Sequence, residues 1–181
     1  MPFDFRLIYA SDLEESLGRD STINFAAIVE ALRAESSSDL LISAGDNYIP
    51  GPFFNAGNDG TMRRVDGDAT LGALNIAYNA LAALEGDAQA YDSLRGAPGA
   101  IDIALMNVIG FDASAVGNHE FDAGTSSFET LLEADQRGDE GVAGDRSAGT
   151  FFPYLTTNLD FSEEGDLAGF VTDAPLSLIH I

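Results

Sequence analysis

The stretch AVGNHEFDAG, residues 115–124, contains one of only two histidines in the chain. Asn118 precedes His119, and the carboxylates of Glu120 and Asp122 follow it within three residues. A carboxylate beside an imidazole orients the ring and raises its pKa, which favours the charged form. Such a histidine can stabilise negative charge or transfer a proton. A single histidine in a turn is also often a hydrogen-bonded structural residue, so the stretch alone leaves both interpretations open.

Three other segments place acids or amides directly after an apolar run. They are SDLEE with Asp12 and Glu14, GDN with Asp46, and TTNLD with Asn158. Each of these residues, taken alone, is also explained as an ordinary turn residue. Because the carboxyl ends of parallel strands meet at one edge of a sheet, we expect these acids to converge with the histidine turn. Oxygen donors dominate the set, which suits hard or intermediate divalent cations. The predicted site consists of Asp12, Glu14, Asp46, Asn118 and His119.

Strands and helices alternate along the chain, which predicts an α/β domain with a largely parallel sheet. Short apolar strands are predicted at FRLIYAS, DLLISAGDN, FDASAVGN and FPYLTTNLDFS. Helices are predicted at STINFAAIVEALRAESS, ATLGALNIAYNALAAL, AIDIALMNVIG and TSSFETLLEADQRG. The Gly-, Pro- and Asn-rich segment from Ile49 to about Thr70 is predicted to be an extended surface loop. With this order, each polar segment follows a strand.

The charge composition excludes several kinds of partner. The chain has 30 acidic and 8 basic residues, for a net charge of -22, and every basic residue is an arginine. Such a surface repels phosphates, so neither a nucleic acid polymer nor an anionic membrane is an expected partner. It is also typical of an adaptation for solubility. The absence of cysteine excludes disulfides and thiol catalysis. No apolar run reaches the roughly 20 residues of a membrane span, so none is predicted.

Together, the motifs resemble those of the calcineurin-like metallophosphoesterases, in particular the branch of 5'-nucleotidases and 2',3'-cyclic-nucleotide phosphodiesterases. The resemblance runs from Phe5 to about Phe161 in four ordered blocks. GNHEFD is highly specific to that branch, GDN is moderately specific, and FPYLTTNLD is similar to the block FP-x-L-x-x-N. The resemblance implies a four-layer α/β/β/α sandwich. Residues 1–175 would form the N-terminal part of its catalytic domain, incomplete at the C-terminus.

The resemblance also implies a role for each site residue around two divalent metal ions. The implied ligands are Asp12 and Glu14 for the first metal, Asp46 as the bridge and Asn118 for the second. A bridging carboxylate can hold two ions about 3.5–4 Å apart, the spacing that clamps a phosphoryl group. His119 would be the catalytic histidine with Asp122 as its partner, and Glu120 would only support the turn. A metal-held water or hydroxide would attack a small phosphate ester, plausibly a nucleotide.

The chain departs from the family pattern at two places. Glu14 stands where the family has a histidine, and the added negative charge shifts the expected preference from zinc towards manganese, magnesium or calcium. The later histidine blocks of the family have no counterpart. The other histidine, His180, lies in LSLIHI, which back-translates to CTGTCTCTTATACACATC and resembles a transposon-adapter sequence. We therefore expect residues 176–181 to be a non-native tail, with the remaining ligands and a substrate domain in a longer parent protein.

These departures leave a competing interpretation open, a non-catalytic metal-binding or structural domain of a larger cell-surface protein. By itself, a piece that lacks the remaining ligands is expected to be inactive. The loop GNDGTMRRVDGD hints at calcium but lacks the spacing and the closing glutamate of an EF-hand. Family and composition together predict a periplasmic or extracellular location, although no signal peptide is visible.

Overall fold

The computed structural model describes residues 5–14, 19–36, 38–59, 97–133, 149–157, 159–165, 167 and 171–172. Within these ranges, five strands form one sheet in which every neighbouring pair is parallel. They are β1 (Arg6–Ala10), β2 (Asp39–Ser43), β3 (Ala113–Ala115), β4 (Tyr154–Leu155) and β5 (Val171–Thr172), and they lie side by side in chain order. The α/β class and the parallel sheet are confirmed, whereas the four-layer sandwich stays a prediction. Strand β5 was not predicted.

Helices connect the strands, and all of the described helices except the second lie where the hydrophobic pattern predicts them. They are α1 (Arg19–Ala34), α2 (Pro52–Ala56), α3 (Ala100–Ile109) and α4 (Thr125–Leu132), with a 3-10 turn at His119–Phe121. Helix α3 is buried along most of its length and packs against α2 and α1. None of these helices is long and apolar enough to cross a bilayer.

The prediction of an extended loop from Ile49 to about Thr70 is wrong at its beginning, where α2 forms instead. Phe54 on α2 is only 4% exposed, and its ring stacks on Tyr48 with 5.3 Å between the centroids. The Phe54 carbonyl accepts a hydrogen bond from the Gly99 amide at 2.8 Å, just before α3 begins. Burial of this aromatic ring outweighs the loop-like composition around it.

Several predicted features lie outside the described residues. They are residues 60–70 of that loop, the helix ATLGALNIAYNALAAL, Asn158, and the 176–181 tail.

A chain of aromatic contacts anchors the histidine turn to the core. The ring of Phe121, in the 3-10 turn, meets Phe128 of α4 edge-on at 5.6 Å. Phe128 is fully buried and meets Tyr154 of β4 edge-on at 5.0 Å. Edge-to-face pairs of this kind stabilise by about 0.5–1.5 kcal/mol beyond their buried area. The turn that carries His119 is therefore fixed to the sheet through its own phenylalanine.

Arg33, at the end of α1, cross-links the amino edge of the sheet. Its guanidinium donates to the Asp39 carboxylate at 3.1 Å and to the carbonyls of Ile109 at 2.9 Å and Gly110 at 2.7 Å. It also lies 3.5 Å from the Asp112 carboxylate. The same residue therefore joins α1, the beginning of β2 and the end of α3.

Candidate metal centre

At the carboxyl edge of the sheet, the loops after β2 and β3 touch backbone to backbone. A Cβ on Gly45 would lie 2.6 Å from the Gly117 amide nitrogen, and a Cβ on Gly117 would lie 2.5 Å from that of Asp46. Side-chain carbons do not approach backbone this closely, so both positions require glycine. This contact explains why GDN and GNH each begin with that residue, and it brings Asp46 next to the histidine turn.

Glu120 lies beneath this contact and is fully buried. Its Oε2 accepts from the amides of Gly117 at 2.7 Å and Asp46 at 3.1 Å, and its Oε1 accepts from the Asn47 amide at 2.9 Å. Burial raises the pKa of Glu120, and these backbone hydrogen bonds oppose the rise. The sequence predicted support for one turn only, whereas the structure shows a carboxylate that joins two loops.

Asn47 completes a buried polar network that the sequence analysis missed. Its side-chain amide donates to Ser114 Oγ at 2.8 Å, Tyr154 Oη at 3.0 Å and Glu120 Oε1 at 3.0 Å, and its oxygen accepts from the Ser43 hydroxyl. Burial raises the pKa of the Tyr154 phenol well above its usual value, so the phenol stays neutral. The available signal was the set of small polar residues inside otherwise apolar strands, Ser43 on β2 and Ser114 on β3.

Above this network, two of the predicted ligands have a left-handed backbone. The φ angle is 53° at Asp12 and 51° at Asp46, and among the described residues no other non-glycine has a positive φ. This conformation costs a residue with a side chain about 1–2 kcal/mol, although aspartate tolerates it better than most. The Asp46 carboxylate in turn accepts from the His119 amide at 2.9 Å. Backbone strain therefore occurs at residues whose side chains could bind an ion.

His119 lies between two carboxylates. Its Nδ1 is 2.6 Å from Asp122 Oδ2, and its Nε2 is 3.2 Å from Glu14 Oε1. The hydrogen bond to Asp122 raises the pKa of His119 above 6.5, partial desolvation opposes it, and the charges of Asp122, Glu14 and Asp46 add to the rise. Since each ring nitrogen faces an acceptor, the arrangement favours the doubly protonated, cationic imidazole.

The structure brings some of the predicted site residues together and leaves others apart. One ligand atom from each of Glu14, Asp46 and His119 lies within 4.8 Å of the others. Asp12 is not part of this group of three and is exposed two residues before Glu14. Asn118 is exposed immediately before the 3-10 turn. The roles assigned to all six predicted residues stay predictions.

The donor set fits a divalent cation. The carboxylate oxygens of Glu14 and Asp46 suit a hard or intermediate divalent cation by ligand type, whereas the His119 ring would be a ligand only in its neutral form. Two like-charged carboxylates that approach within 4.8 Å repel one another, and a cation between them relieves that repulsion. Fold and site together define an α/β protein with a candidate metal centre at the carboxyl edge of its parallel sheet.

Comparison with known proteins agrees with this class. A stretch of 73 residues, 40% of the chain, is 33% identical to the trifunctional nucleotide phosphoesterase protein YfkN of Bacillus subtilis. The match spans only 5% of that protein's length. No family model matches the chain. The similarity suggests a protein of the metallophosphoesterase type.

Proposed function

We propose that this chain is part of a metal-dependent hydrolase of phosphate esters, with nucleotides as its substrates, of the 5'-nucleotidase or cyclic-nucleotide phosphodiesterase type. The observation that supports this most is the group formed by Glu14, Asp46 and His119, with Asp122 behind the imidazole. The partial similarity to a nucleotide phosphoesterase supports the same class of substrate.

In this proposal, Glu14 and Asp46 hold divalent ions together with Asp12 and Asn118. Bound ions of this kind supply a Lewis acid that neutralises phosphate charge and activates water. The left-handed backbone of Asp46 and its hydrogen bond to the His119 amide fix its carboxylate relative to the imidazole. The protein's own contribution is this fixed arrangement of carboxylates around one edge of the sheet.

His119 supplies the proton and positive charge in the proposal. Asp122 holds Nδ1, so Nε2 points towards the group of carboxylates, where it contacts Glu14 at 3.2 Å. With Glu14 serving as a ligand of a bound cation, His119 Nε2 would donate its proton to an oxygen of the phosphate ester or to the leaving oxygen. A general acid positioned in this way contributes about 10²–10⁴-fold to the rate.

The net charge of -22 makes the metal requirement strict. A phosphate ester is repelled by the acidic surface, and cations at the site provide the compensating charge. The acid-rich, cysteine-free composition also supports an exported location, periplasmic or extracellular, as part of the proposal.

The second candidate is a metal-binding domain without catalysis. The contact between Glu14 and His119 favours it, because a carboxylate bound to Nε2 keeps that nitrogen from a substrate. Both candidate functions predict metal binding, but only the hydrolase predicts turnover of a phosphate ester.

The test is hydrolysis of nucleotides and of bis(p-nitrophenyl) phosphate by the product of the complete gene, with Mn²⁺, Mg²⁺, Ca²⁺ or Zn²⁺. We expect activity with Mn²⁺ to exceed that with Zn²⁺, since Glu14 stands where the resemblance implies histidine. His119→Ala and Asn118→Ala should each lower the rate by about 100-fold or more. Variants as active as the wild type would contradict the roles assigned to both residues. Metal binding without hydrolysis would favour the non-catalytic candidate.

A further inference from the structure

Glu120 connects both loops of the candidate metal centre through one oxygen atom. Its Oε2 accepts from the Asp46 amide on the β2 loop and from the Gly117 amide on the β3 loop. The Asp46 carboxylate on the β2 loop in turn accepts a hydrogen bond from the His119 amide on the β3 loop. These bonds make a closed ring that contains the backbone of a predicted ligand and the backbone of the predicted catalytic histidine.

The second oxygen of Glu120 holds the next residue of the β2 loop. Oε1 accepts from the Asn47 amide at 2.9 Å and from its side-chain nitrogen at 3.0 Å. Four donors therefore converge on one fully buried carboxylate. Only a group that accepts on both oxygens satisfies them, because a glutamine in its place would direct its own amide hydrogens at one pair of donors.

These hydrogen bonds hold Asp46 in its strained, left-handed backbone conformation. A left-handed aspartate tends to relax to an ordinary backbone conformation unless the surrounding contacts prevent it. The hydrogen bond from its amide to Glu120 and the close approach of Gly45 to Gly117 are the contacts that do so. The Asp46 carboxylate therefore has its orientation before any ion arrives.

We propose that Glu120 is a positioning residue for the metal centre, which presets the backbone of Asp46 and His119 and thereby raises metal affinity. The inference rests on the proposed function, since it requires a metal at this site. A site that is ordered in advance binds more tightly, because the ordering cost is not met at the moment of binding. Removing outer partners of metal ligands typically weakens binding by about 10–100-fold.

The experiment is calorimetric titration of Mn²⁺ into the product of the complete gene, the same protein that serves in the hydrolysis test. Glu120→Gln should weaken Mn²⁺ binding by about 10–100-fold. The matched control is Tyr154→Phe, which removes a hydroxyl from the same buried network without touching Asp46 or Gly117. It should lower the melting temperature while Mn²⁺ affinity stays within about threefold of wild type. Glu120→Asp, which keeps the charge on a shorter side chain, should show intermediate affinity.

The outcomes distinguish a failure of the proposed function from a failure of the role proposed for Glu120. If the wild type binds no Mn²⁺, the proposed function fails and the inference fails with it. If the wild type binds and a folded Glu120→Gln binds equally well, the inference alone is overturned. Where the variants do not fold, amide hydrogen exchange of the metal-free wild type decides. Protected amides at Asp46 and Gly117 support the preset ring, and exchange as fast as in exposed loops overturns it.

Discussion

The two edges of the sheet are cross-linked by opposite charges. At the amino edge, the Arg33 guanidinium donates to the Asp39 carboxylate and to two carbonyls at the end of α3. At the carboxyl edge, the Glu120 carboxylate accepts from three backbone amides and one side-chain amide. Both side chains join segments that are distant in the chain, but what surrounds them differs.

At the amino edge the cation lies among its acidic partners, Asp39 and Asp112. At the carboxyl edge the carboxylates of Glu14 and Asp122 share one imidazole, and Asp46 lies beside it. Left-handed backbone at the amino edge occurs at Gly110, where it carries no strain, whereas at the carboxyl edge it occurs at Asp46. The amino edge is therefore arranged for stability. The carboxyl edge carries backbone strain at Asp46, and it also carries charge repulsion between carboxylates that a bound cation would relieve.

The largest expected effect on stability follows from Gly45→Ala, which disrupts the contact between the two loops at the carboxyl edge. The new Cβ would meet the Gly117 backbone at 2.6 Å in a residue with φ of 98°, so the loops must separate. We expect the free energy of unfolding to fall by about 3 kcal/mol or more, measured by urea denaturation. Gly124→Ala is the control, because φ is 89° there but nothing lies within 4 Å of the new Cβ. Its ψ of 161° lies in a region that residues with a side chain rarely adopt, so Gly124→Ala should cost about 1–3 kcal/mol, less than Gly45→Ala. Equal losses in the two variants would contradict the close approach of the loops.

A smaller effect is expected from Arg33→Met at the amino edge. The variant keeps much of the apolar stem but removes the ion pair with Asp39 and the bonds to the Ile109 and Gly110 carbonyls. We expect a loss of about 1–3 kcal/mol in the free energy of unfolding. Affinity for Mn²⁺ should be unchanged, because no contact links Arg33 to the carboxylates around His119 among the described residues. A change in Mn²⁺ affinity would show that the two edges do not act separately.

The smallest effect concerns the charge on His119. Asp122→Asn replaces the charged acceptor of the His119 Nδ1 proton with a neutral amide oxygen, which weakens the hydrogen bond that raises the His119 pKa. This pKa should fall towards 6.5 in an NMR titration of the imidazole. A raised pKa stabilises the folded state fully below about pH 6.5, and this advantage disappears as the pH rises through the folded-state value. The stability difference between wild type and Asp122→Asn should therefore be largest at mildly acidic pH, just below about 6.5, where the imidazole is charged and carboxylates are in general still ionised. His119→Gln identifies the resonance, and an unchanged His119 pKa in Asp122→Asn would contradict the pairing.

The sequence predicted those parts of the site that depend on local spacing. In a 3-10 turn, residues three apart lie on the same face, so Asp122 meets His119 while Glu120 turns into the core. The apolar runs also predicted the strands, and the polar exits of β2 and β3 do meet. These features need no knowledge of distant contacts.

Other parts of the site and fold could not be predicted from the sequence, because they depend on tertiary contacts. Asn47 and Glu120 bond to groups from separate strands and loops, and nothing in GDN or GNHEFD indicates which side chain faces inward. Helix α2 forms because Phe54 packs on Tyr48 and the helix packs against α3, although the composition of this segment is that of a loop. In both cases burial against a distant partner decides the local structure.

The most direct test of the metal centre is a calorimetric titration of Mn²⁺ into the product of the complete gene and into two variants with substitutions at either end of β2. Asp46→Asn removes the charge just beyond the end of the strand, and Asp39→Asn removes a charge at its beginning. We predict that the wild type binds Mn²⁺, that Asp46→Asn weakens binding by about 100-fold, and that Asp39→Asn leaves the affinity unchanged. A wild type that does not bind, or an Asp46→Asn variant that binds as tightly as the wild type, would contradict a cation site at the carboxyl edge.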